Sequence, residues 1–413
     1  MTTTTISPSR FFFLILILGA LTALGPFSID MYLPGFPAIA KDFGTDVTTI
    51  GFSLTSFFIG ISAGQLLYGP LLDRYGRKRP LYAGLILYIA ASIGCIYSHS
   101  IQSLIILRFF QAIGSCAATV AAVAMVRDIF PVQDNARVFA LLMLVVGASP
   151  MVAPAVGGYI TAAFGWHTVF LILTVLGILI LVSSLLWLPE SYQPDHSISL
   201  KPRPIITNFL AVLGNAQFTT YALAGACSFA GIFAYVSGSP KVFMELFSVS
   251  AKVYGWIFAG LSVGFIGCSQ VNSILLRRFQ STQILPYALT FQSVFGILIA
   301  ATAMLHLLTL PVLIVLLFGY LCCLGFVNPN TAALCLAPFS KNAGSASAVM
   351  GALQLGIGAI TSAAVSAVKT PDAMPMAITL AACGITALAA LLIGRRFIKS
   401  GTIQSAGNNV VLH

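Results

Sequence analysis

The sequence predicts an all-α polytopic membrane protein whose twelve transmembrane helices form two six-helix bundles. Of the 413 residues, 58% are hydrophobic and only 7% are charged, which is too little polarity for the surface of a soluble protein. Apolar stretches of about 20 residues recur along the chain, and each is long enough to cross a bilayer. We predict helices because open sheets leave backbone groups unpaired in lipid, and because the alternating strands of a membrane barrel are absent from the sequence.

Hydropathy divides the chain into two sets of six spans. The longest hydrophilic segment, Pro189–Asn215, lies between the sixth span and the seventh. We therefore predict an N-terminal bundle over residues 1–188, a cytoplasmic linker over 189–216, a C-terminal bundle over 217–400 and a cytoplasmic tail over 401–413. The predicted spans are residues 11–33, 47–69, 79–98, 102–126, 137–162, 167–188, 217–240, 251–275, 284–305, 310–335, 343–368 and 373–396.

The basic residues indicate how the spans are oriented. The net charge is +10, and in a soluble protein such an excess could indicate nucleic-acid binding. With the N-terminus placed inside, however, 15 of the 20 Lys and Arg residues fall in cytoplasmic segments. Cytoplasmic loops of membrane proteins carry such an excess, so we predict that both termini are cytoplasmic and that no nucleic acid is bound. The four outer bases are Lys41, Lys241, Lys252 and Lys369.

The cysteines and histidines predict no disulfide framework, metal site or cofactor. The eight cysteines lie within or at the ends of apolar spans, and the five histidines are scattered singly, whereas a metal site needs clustered ligands. A Walker A pattern is absent from the sequence, which disfavours a pump driven by nucleotide hydrolysis.

The most specific segment is the short charged connection between the second and third spans, Gly69–Pro80. Its glycines can allow a tight reversal, and Asp73 can accept hydrogen bonds from an arginine. Composition alone would fit any positively charged loop, but the ordered pattern Gly-x-x-x-Asp-Arg-x-Gly-Arg-Lys-x-Pro resembles the loop 2–3 signature of the major facilitator superfamily. The resemblance implies an inner gate that locks the two bundles together when the protein faces outward. A decayed copy, Leu275–Phe279, predicts that the gate is asymmetric. The gate residues are Gly69, Asp73, Arg74, Gly76, Arg77 and Lys78.

The fourth span contains a basic residue, Arg108. It lies about six residues from the start of the span, which is roughly 9 Å along a helix. An arginine at this depth needs a partner or a water-filled cavity; the alternative is a base that reaches to the membrane edge. Gln111 lies one turn away on the same face. The two residues resemble the Arg-x-x-Gln-Gly signature of the superfamily's fourth helix, except that Ala112 replaces the glycine.

Asp30 is the only acidic residue embedded in the interior of a predicted span. The first span runs outward and the fourth runs inward, so Asp30 and Arg108 are predicted to lie at comparable depth, toward the outer side. We predict that they pair and carry proton coupling, because burial favours a protonated carboxyl whereas a nearby arginine favours the charged form. The alternative is that Asp30 lies at the interface and is solvated or caps a helix.

The fifth span contains the run Gly147–Gly158, in which two prolines four residues apart remove backbone donors and bend the helix. Small residues in the run allow close packing against a partner helix. The run resembles the antiporter signature of drug exporters, although Ser149 and Ala153 stand where glycines are usual, and it favours export over uptake. An ordinary kinked membrane helix is the alternative. The motif residues are Pro150, Pro154, Gly157 and Gly158.

Further segments resemble one particular branch of the superfamily. Ser28–Pro34, Arg108–Phe110 and Ser228–Gly231 look like the bicyclomycin-resistance (Bcr/CflA) branch of the twelve-span drug/proton antiporters, and Pro34–Asp42 resembles the Pro-x-x-Pro-x-Ile-Ala-x-Asp motif of those antiporters. The resemblance implies a bacterial inner-membrane protein with a cavity between its bundles. Aromatic residues at helical spacing more often serve packing, which is the alternative for the aromatic members of the predicted cavity. The cavity residues are Met31, Gln111, Phe229, Phe233 and Tyr235.

These features predict a proton-coupled secondary transporter that exports drugs or related small amphipathic molecules by alternating access. Its predicted partners are a small-molecule substrate, protons and the lipid bilayer, and we expect a monomer. The first alternative is a proton-coupled importer of a small metabolite on the same fold. The second is an integral membrane enzyme, which would need clustered catalytic groups. The predicted spans contain no paired acids or histidine cluster, so we predict no enzymatic activity.

Overall fold

The architecture is that of a helical membrane protein, as predicted. A computed structural model describes residues 8–130, 132–195, 207, 210–339, 343–370 and 372–398. Among these residues, twelve helices are long and apolar enough to cross a membrane. In chain order they are α1 Pro8–Asp30, α2 Val47–Tyr75, α3 Lys78–Ile96, α4 Ile101–Ile129, α5 Val132–Phe164, α6 His167–Trp187, α7 Ala216–Pro240, α8 Ala251–Leu275, α9 Ser281–Met304, α10 Leu310–Leu336, α11 Ala343–Ala367 and α12 Met374–Gly394.

Polar side chains fix where several helices begin. The Asp46 carboxylate accepts a hydrogen bond from the backbone N–H of Thr49 at 2.6 Å and caps α2. The Asn215 side chain accepts from the N–H of Phe218 at 2.9 Å and caps α7 in the same way. Because the first-turn N–H groups of a helix have no partner within the helix, such residues define its start.

The reversal between α2 and α3 differs from the prediction. α2 continues through Pro70 to Tyr75 rather than ending at residue 69. Gly69 therefore lies inside a helix, and the prediction that it allows a reversal is wrong, because a membrane helix can accommodate a proline without ending. The chain turns at Gly76 instead, where φ is +83°, a conformation that glycine adopts without strain.

The two sets of six helices pack in the same pattern. In the first bundle (α1–α6), α1 contacts α4, α5 and α6, α2 contacts α4, and α3 contacts α4 and α6. Each of these contacts recurs in the second bundle (α7–α12) between the helices numbered six higher. Such a repeat is known in transporters whose halves are related by an axis along the membrane normal. The residue boundaries predicted for the bundles and the linker stay a prediction, and the predicted tail lies outside the described residues.

The most extensive contacts between the bundles are those of α2 with α11 and of α5 with α8, and α2 also contacts α7. Between α5 and α8 the backbones touch, because a side chain on Gly158 would overlap the Ala251 carbonyl. A side chain on Gly255 would likewise overlap the Pro154 carbonyl. Small residues permit this close approach between membrane helices.

The alternating helices give the molecule two ends. We call the end that carries the α2–α3 reversal the Asp73 end and the end that carries the α1–α2 connection the Asp46 end. At the Asp46 end, Lys369 Nζ lies 2.8 Å from Asp46 Oδ2. The ammonium group of Lys252 lies 5.1 Å from the centroid of the Tyr159 ring. Each contact joins one bundle to the other, so the Asp46 end is closed in this conformation.

The pairing of Asp46 with Lys369 is expected to be insensitive to pH near neutrality. Burial alone would raise the pKa of Asp46, but hydrogen bonds from Lys369 and Thr49 outweigh it and lower the pKa below its ordinary value. The contribution of the pair is therefore present at neutral pH and is lost only as the pH falls below the ordinary aspartate range.

We expect amide-exchange protection of residues 44–51, corrected for intrinsic rates, to be equal at pH 7 and pH 5. We expect Asp46→Asn to change that protection by at most about five-fold, because exposed ion pairs contribute about 0.2–1 kcal/mol. Protection lost between those two pH values in the unsubstituted protein would contradict this account of the pair.

Candidate functional site

Arg108 is fully buried within the first bundle. Its Nη1 donates a hydrogen bond to the Gln111 side-chain oxygen at 2.6 Å, and its Nη2 donates to the Ser28 carbonyl at 3.0 Å. The guanidinium carbon also lies 4.7, 4.2 and 5.8 Å from the ring centroids of Tyr32, Phe57 and Phe170. Neutral oxygens and ring faces, rather than a carboxylate, therefore stabilise this buried cation.

The contacts of Arg108 extend into a connected polar network. Gln111 Nε2 donates to Ser92 Oγ at 2.7 Å, and Ser92 Oγ donates to the Tyr88 carbonyl, also at 2.7 Å. The hydroxyls of Ser28 and Tyr88 lie 2.8 Å apart and share a hydrogen bond. We call these five residues the arginine network, and it ties α1, α3 and α4 together. Gln111, which the sequence predicts in the substrate cavity, belongs to this buried network, and its contact with substrate stays a prediction.

The second bundle has a neutral counterpart of this network. Ser228 Oγ donates to Gln292 Oε1 at 2.6 Å, and Gln292 Nε2 donates to the Ser228 carbonyl at 3.3 Å. The Tyr320 hydroxyl donates to the Leu380 carbonyl at 3.2 Å. Ser228, Gln292 and Tyr320 lie on α7, α9 and α10, the helices that correspond to α1, α3 and α4, and none of them carries a charge.

Asp30 is the last residue of α1 and is only 6% exposed. It is the one acidic residue among the buried side chains of the described chain. Its helix position is two residues beyond Ser28, which corresponds to about 200° around the helix axis. Because Ser28 faces the arginine network, Asp30 points away from it. None of the ion pairs among the described residues joins Asp30 to Arg108, so the predicted pairing is absent from this conformation.

Asp30 instead faces the second bundle. It interacts electrostatically with Tyr235 and Tyr254. The Tyr254 hydroxyl shares a hydrogen bond with Ser239 Oγ at 2.8 Å. The Tyr235 hydroxyl is buried without a hydrogen-bond partner, and its ring stacks on Phe258 with 5.2 Å between centroids. A carboxyl in this position experiences a different environment when the two bundles separate.

The other residues predicted for the cavity lie packed where the bundles meet. The Phe233 ring lies 4.3 Å from that of Phe58 and 5.5 Å from that of Phe229, with edge-to-face geometry in both pairs. Met31 is buried, and a side chain on Gly157 would overlap its backbone. In this conformation these side chains contribute to packing, and their contact with substrate stays a prediction.

The prolines of α5 leave a backbone carbonyl without its helical donor at the contact with the other bundle. Pro154 has no N–H, so the Pro150 carbonyl, four residues earlier, lacks its usual helical donor. Ser262 on α8 donates its hydroxyl proton to the Phe258 carbonyl of its own helix at 2.9 Å, and its Oγ lies 3.5 Å from the Pro150 carbonyl across the interface. The Ser149 hydroxyl is buried without a partner beside it. The motif therefore places a carbonyl without its helical donor at the contact between α5 and α8, and it is also a site of bending.

At the Asp73 end, Arg77 is the centre of a charged cluster. Its Nη1 lies 2.6 Å from Asp73 Oδ1 and its Nε lies 2.7 Å from Asp128 Oδ2. Its guanidinium carbon lies 4.2 Å from the centroid of the Tyr192 ring. Burial alone would lower the pKa of Arg77, but the hydrogen bonds to Asp128 and Asp73 outweigh it and raise the pKa. Arg77 is thus held as a cation by acids in the last turns of two helices of the first bundle, Asp73 in α2 and Asp128 in α4.

Glu190 completes this cluster by capping the start of α3. Its two carboxylate oxygens accept from the backbone N–H groups of Arg77 at 2.8 Å and Lys78 at 3.1 Å. A side chain on Gly76 would lie 3.1 Å from the same carboxylate, so glycine suits this turn by both space and conformation. The cationic groups of Lys78 and Arg74 each lie over the ring of a neighbouring tyrosine.

Sequence reasoning missed the roles of Asp128 and Glu190, although only ten acids occur in the chain and both follow the ends of spans. The contacts of Arg77 described above all lie within residues 73–192, on the side of the first bundle. A lock between the bundles in another conformation stays a prediction.

Comparison with known proteins gives the same classification. The sequence matches the Major Facilitator Superfamily over residues 16–363. It is 31% identical over 402 residues to a bicyclomycin resistance protein homolog of Haemophilus influenzae, with 96% of this chain and 98% of that protein covered. It is 29% identical over 378 residues to the multidrug resistance protein MdtL of Klebsiella pneumoniae strain 342, with 91% and 93% covered.

Solved structures show the same fold at low sequence identity. A crystal structure of a D-xylose-proton symporter superposes with a TM-score of 0.74 at 14% identity, covering 96% of this chain and all of that one. A bacterial homolog of the human lysosomal transporter Spinster, in an inward-facing and occupied conformation, gives 0.73 at 15% identity, covering 95% of this chain and 98% of that one. These structures show the shared fold, and the family match with the 31% identical relative shows that the chain belongs to the major facilitator superfamily, in its bicyclomycin-resistance branch.

Proposed function

We propose that this protein is a proton-coupled exporter of drugs or related small amphipathic molecules, and that it works by alternating access. The observation that carries the proposal is the buried Asp30 carboxyl, which lies between two bundles that repeat the same packing. Relatives named for resistance to bicyclomycin and to multiple drugs support the export direction and the substrate class. We infer that no enzymatic reaction is involved.

The orientation of the protein follows from its charges. The excess of bases in the segments at the Asp73 end supports a cytoplasmic location for that end and for both termini. The Asp46 end then faces the outside of a bacterial inner membrane. In this orientation the described conformation is closed to the outside, and we propose a monomer as the transporting unit.

Proton coupling follows from the cost of burying a charge. An ionised carboxyl is expensive to enclose in a low-dielectric interior, whereas a protonated one is not. Closure of the Asp46 end encloses Asp30 beside Tyr235 and Tyr254, so closure is easier after Asp30 has taken up a proton from outside. Proton entry thereby favours the conformation that accepts substrate from the cytoplasm, and substrate in the central cavity competes for the same conformations.

The proposal is tested by accumulation assays in a bacterial host that lacks its own drug pumps. We expect cells that express the protein to accumulate less of at least one amphipathic antibiotic or dye, and an uncoupler to abolish the difference. Cells that express Asp30→Asn at the same level are the matched control. Unchanged accumulation across a broad compound panel would argue against export.

An importer on the same fold is the second candidate. The fold of a D-xylose-proton symporter is compatible with it, but 14% identity carries information on fold alone. The direction of flux in vesicles under an imposed pH gradient distinguishes the two. Substrate that moves with the protons indicates import, and substrate that moves against them indicates export.

The charged cluster at the Asp73 end leads us to predict that the two bundles contribute unequally to the gate. Asp73→Asn removes the negative charge opposite Arg77 and leaves only a neutral amide oxygen as acceptor, and it is expected to reduce transport by about ten-fold, the scale of one hydrogen bond to a charged group. Arg277→Gln, at the corresponding place after α8, is expected to reduce transport less than two-fold, because the sequence there is a decayed copy. Initial efflux rates at equal expression measure both, and equal losses would contradict an asymmetric gate.

A further inference from the structure

Three hydroxyl groups meet where the two bundles touch. Thr55 lies on α2 in the first bundle, whereas Ser237 and Ser362 lie on α7 and α11 in the second. Ser362 Oγ is 2.8 Å from Thr55 Oγ1 and 2.7 Å from Ser237 Oγ. All three side chains are buried, and Ser362 is completely so. We call them the hydroxyl cluster, and its bond from Thr55 to Ser362 runs directly from one bundle to the other.

One turn closer to the Asp46 end, α2 and α11 approach each other still more closely. A side chain on Gly51 would overlap the Ser366 hydroxyl. That hydroxyl is only 2% exposed and has no hydrogen-bond partner. A side chain at position 51 would therefore force Ser366 to shift, and the contact leaves one polar group without a partner as long as the Asp46 end stays closed.

A small cavity, with room for about one water molecule, reaches this contact from the Asp46 end. Such a space can hold water where several polar groups line it. The polar residues of its lining are Thr48, Ser237, Lys241, Ser366 and Asp372. Ser237 belongs both to the cavity wall and to the hydroxyl cluster, so water in the cavity is adjacent to the hydrogen bonds that join the bundles.

We propose that the hydroxyl cluster is a latch that holds the Asp46 end closed and that opens when water from the cavity replaces its hydrogen bonds. A neutral hydrogen bond changes an equilibrium by only a few-fold to about ten-fold, because water offers an equivalent partner. A latch of this kind favours the closed conformation and still allows the Asp46 end to open. Its place in a transport cycle rests on the proposed function, whereas its effect on the conformation does not.

The latch is tested by hydrogen–deuterium exchange of the full chain in lipid nanodiscs, without substrate or a proton gradient. Thr55→Val removes the hydroxyl and keeps the shape. We expect about five-fold faster exchange at the Asp46 end, in residues 46–51 and 362–370, together with slower exchange at the Asp73 end, in residues 69–80. Gly51→Ala separates the same helices by steric overlap and is expected to shift both ends in the same directions.

The matched control is Thr174→Val, which removes an equally buried hydroxyl that bonds only the Phe170 carbonyl of its own helix at 2.8 Å. We expect it to leave exchange at both ends unchanged. A general loss of stability would speed exchange at both ends, so the opposite changes identify the latch. Faster exchange at both ends, or no change with Thr55→Val, would overturn the proposal. Since exchange needs no transport, failure of the export assay would leave this result standing.

Discussion

Asp30→Asn is expected to abolish proton-driven transport while leaving the fold intact. Asp30 is buried between the bundles and makes no ion pair with Arg108, so the amide removes the proton exchange without removing a structural partner. Replacing a buried carboxyl by a neutral amide also avoids the cost of an enclosed charge. We therefore expect substrate flux under a pH gradient to fall to the level of empty proteoliposomes, with a melting temperature that is unchanged or higher.

Glu245→Gln supplies the matched control for this substitution. Glu245 is exposed near the Asp46 end, after α7. Its neutralisation is expected to leave gradient-driven flux within about two-fold of the unsubstituted protein, as for most surface changes. Undiminished active transport by Asp30→Asn would remove Asp30 from the mechanism, and an equal loss in both variants would show that the effect is not specific to the buried site.

Arg108→Met is expected to destabilise the protein as well as inactivate it. The substitution leaves the Gln111 side-chain oxygen and the Ser28 carbonyl without the donors that hold them at 2.6 and 3.0 Å. Two hydrogen bonds to a charged group together contribute about 3–6 kcal/mol. Arg108→Lys keeps the charge but lacks the planar fork, so we expect a smaller loss of stability. Thermal unfolding in detergent measures both variants, and Arg79→Met, at an exposed position, is the control.

The double variant Asp30→Asn/Arg108→Met distinguishes the arrangement in the structure, in which the two residues do not pair, from the ion pair that the sequence predicts. A direct ion pair predicts that neutralising both partners is milder than the sum of the single effects. The structure, in which the two side chains face different directions, predicts additive changes in unfolding free energy, with a coupling below about 0.5 kcal/mol. A double variant that recovers most of the stability lost in Arg108→Met would show that the two residues do pair.

The fold can be predicted from the sequence because it depends mainly on which residues are apolar and which are charged. Long apolar runs and the distribution of bases are sufficient for twelve spans. Helix ends are less predictable, since they depend on local geometry. α2 passes through Pro70 and ends only at Tyr75, whereas the sequence pattern suggested a turn at Gly69.

The sequence predicts how deep the residues of the candidate site lie in the membrane, but not which way their side chains face. Topology brings Asp30 and Arg108 to similar depth, but which way each side chain faces depends on the rotation of its helix. A separation of two residues from Ser28 was enough to turn Asp30 toward the other bundle. The partners of Arg77 were missed for a different reason. Asp128 lies 51 and Glu190 lies 113 residues away along the chain, and only the packed bundle brings them near.

The neutral counterpart in the second bundle has a thermodynamic consequence. Because Ser228, Gln292 and Tyr320 carry no charge, and Asp30 is the one buried acid among the described residues, a proposed transport cycle has a single carboxyl with which to carry protons. One proton moving through 100 mV releases about 2.3 kcal/mol, and about 1.4 kcal/mol corresponds to a factor of ten. For an uncharged substrate, one proton per cycle therefore limits the concentration ratio across the membrane to about 50-fold for each 100 mV of proton-motive force. A measured steady-state ratio above this limit would require a second proton carrier.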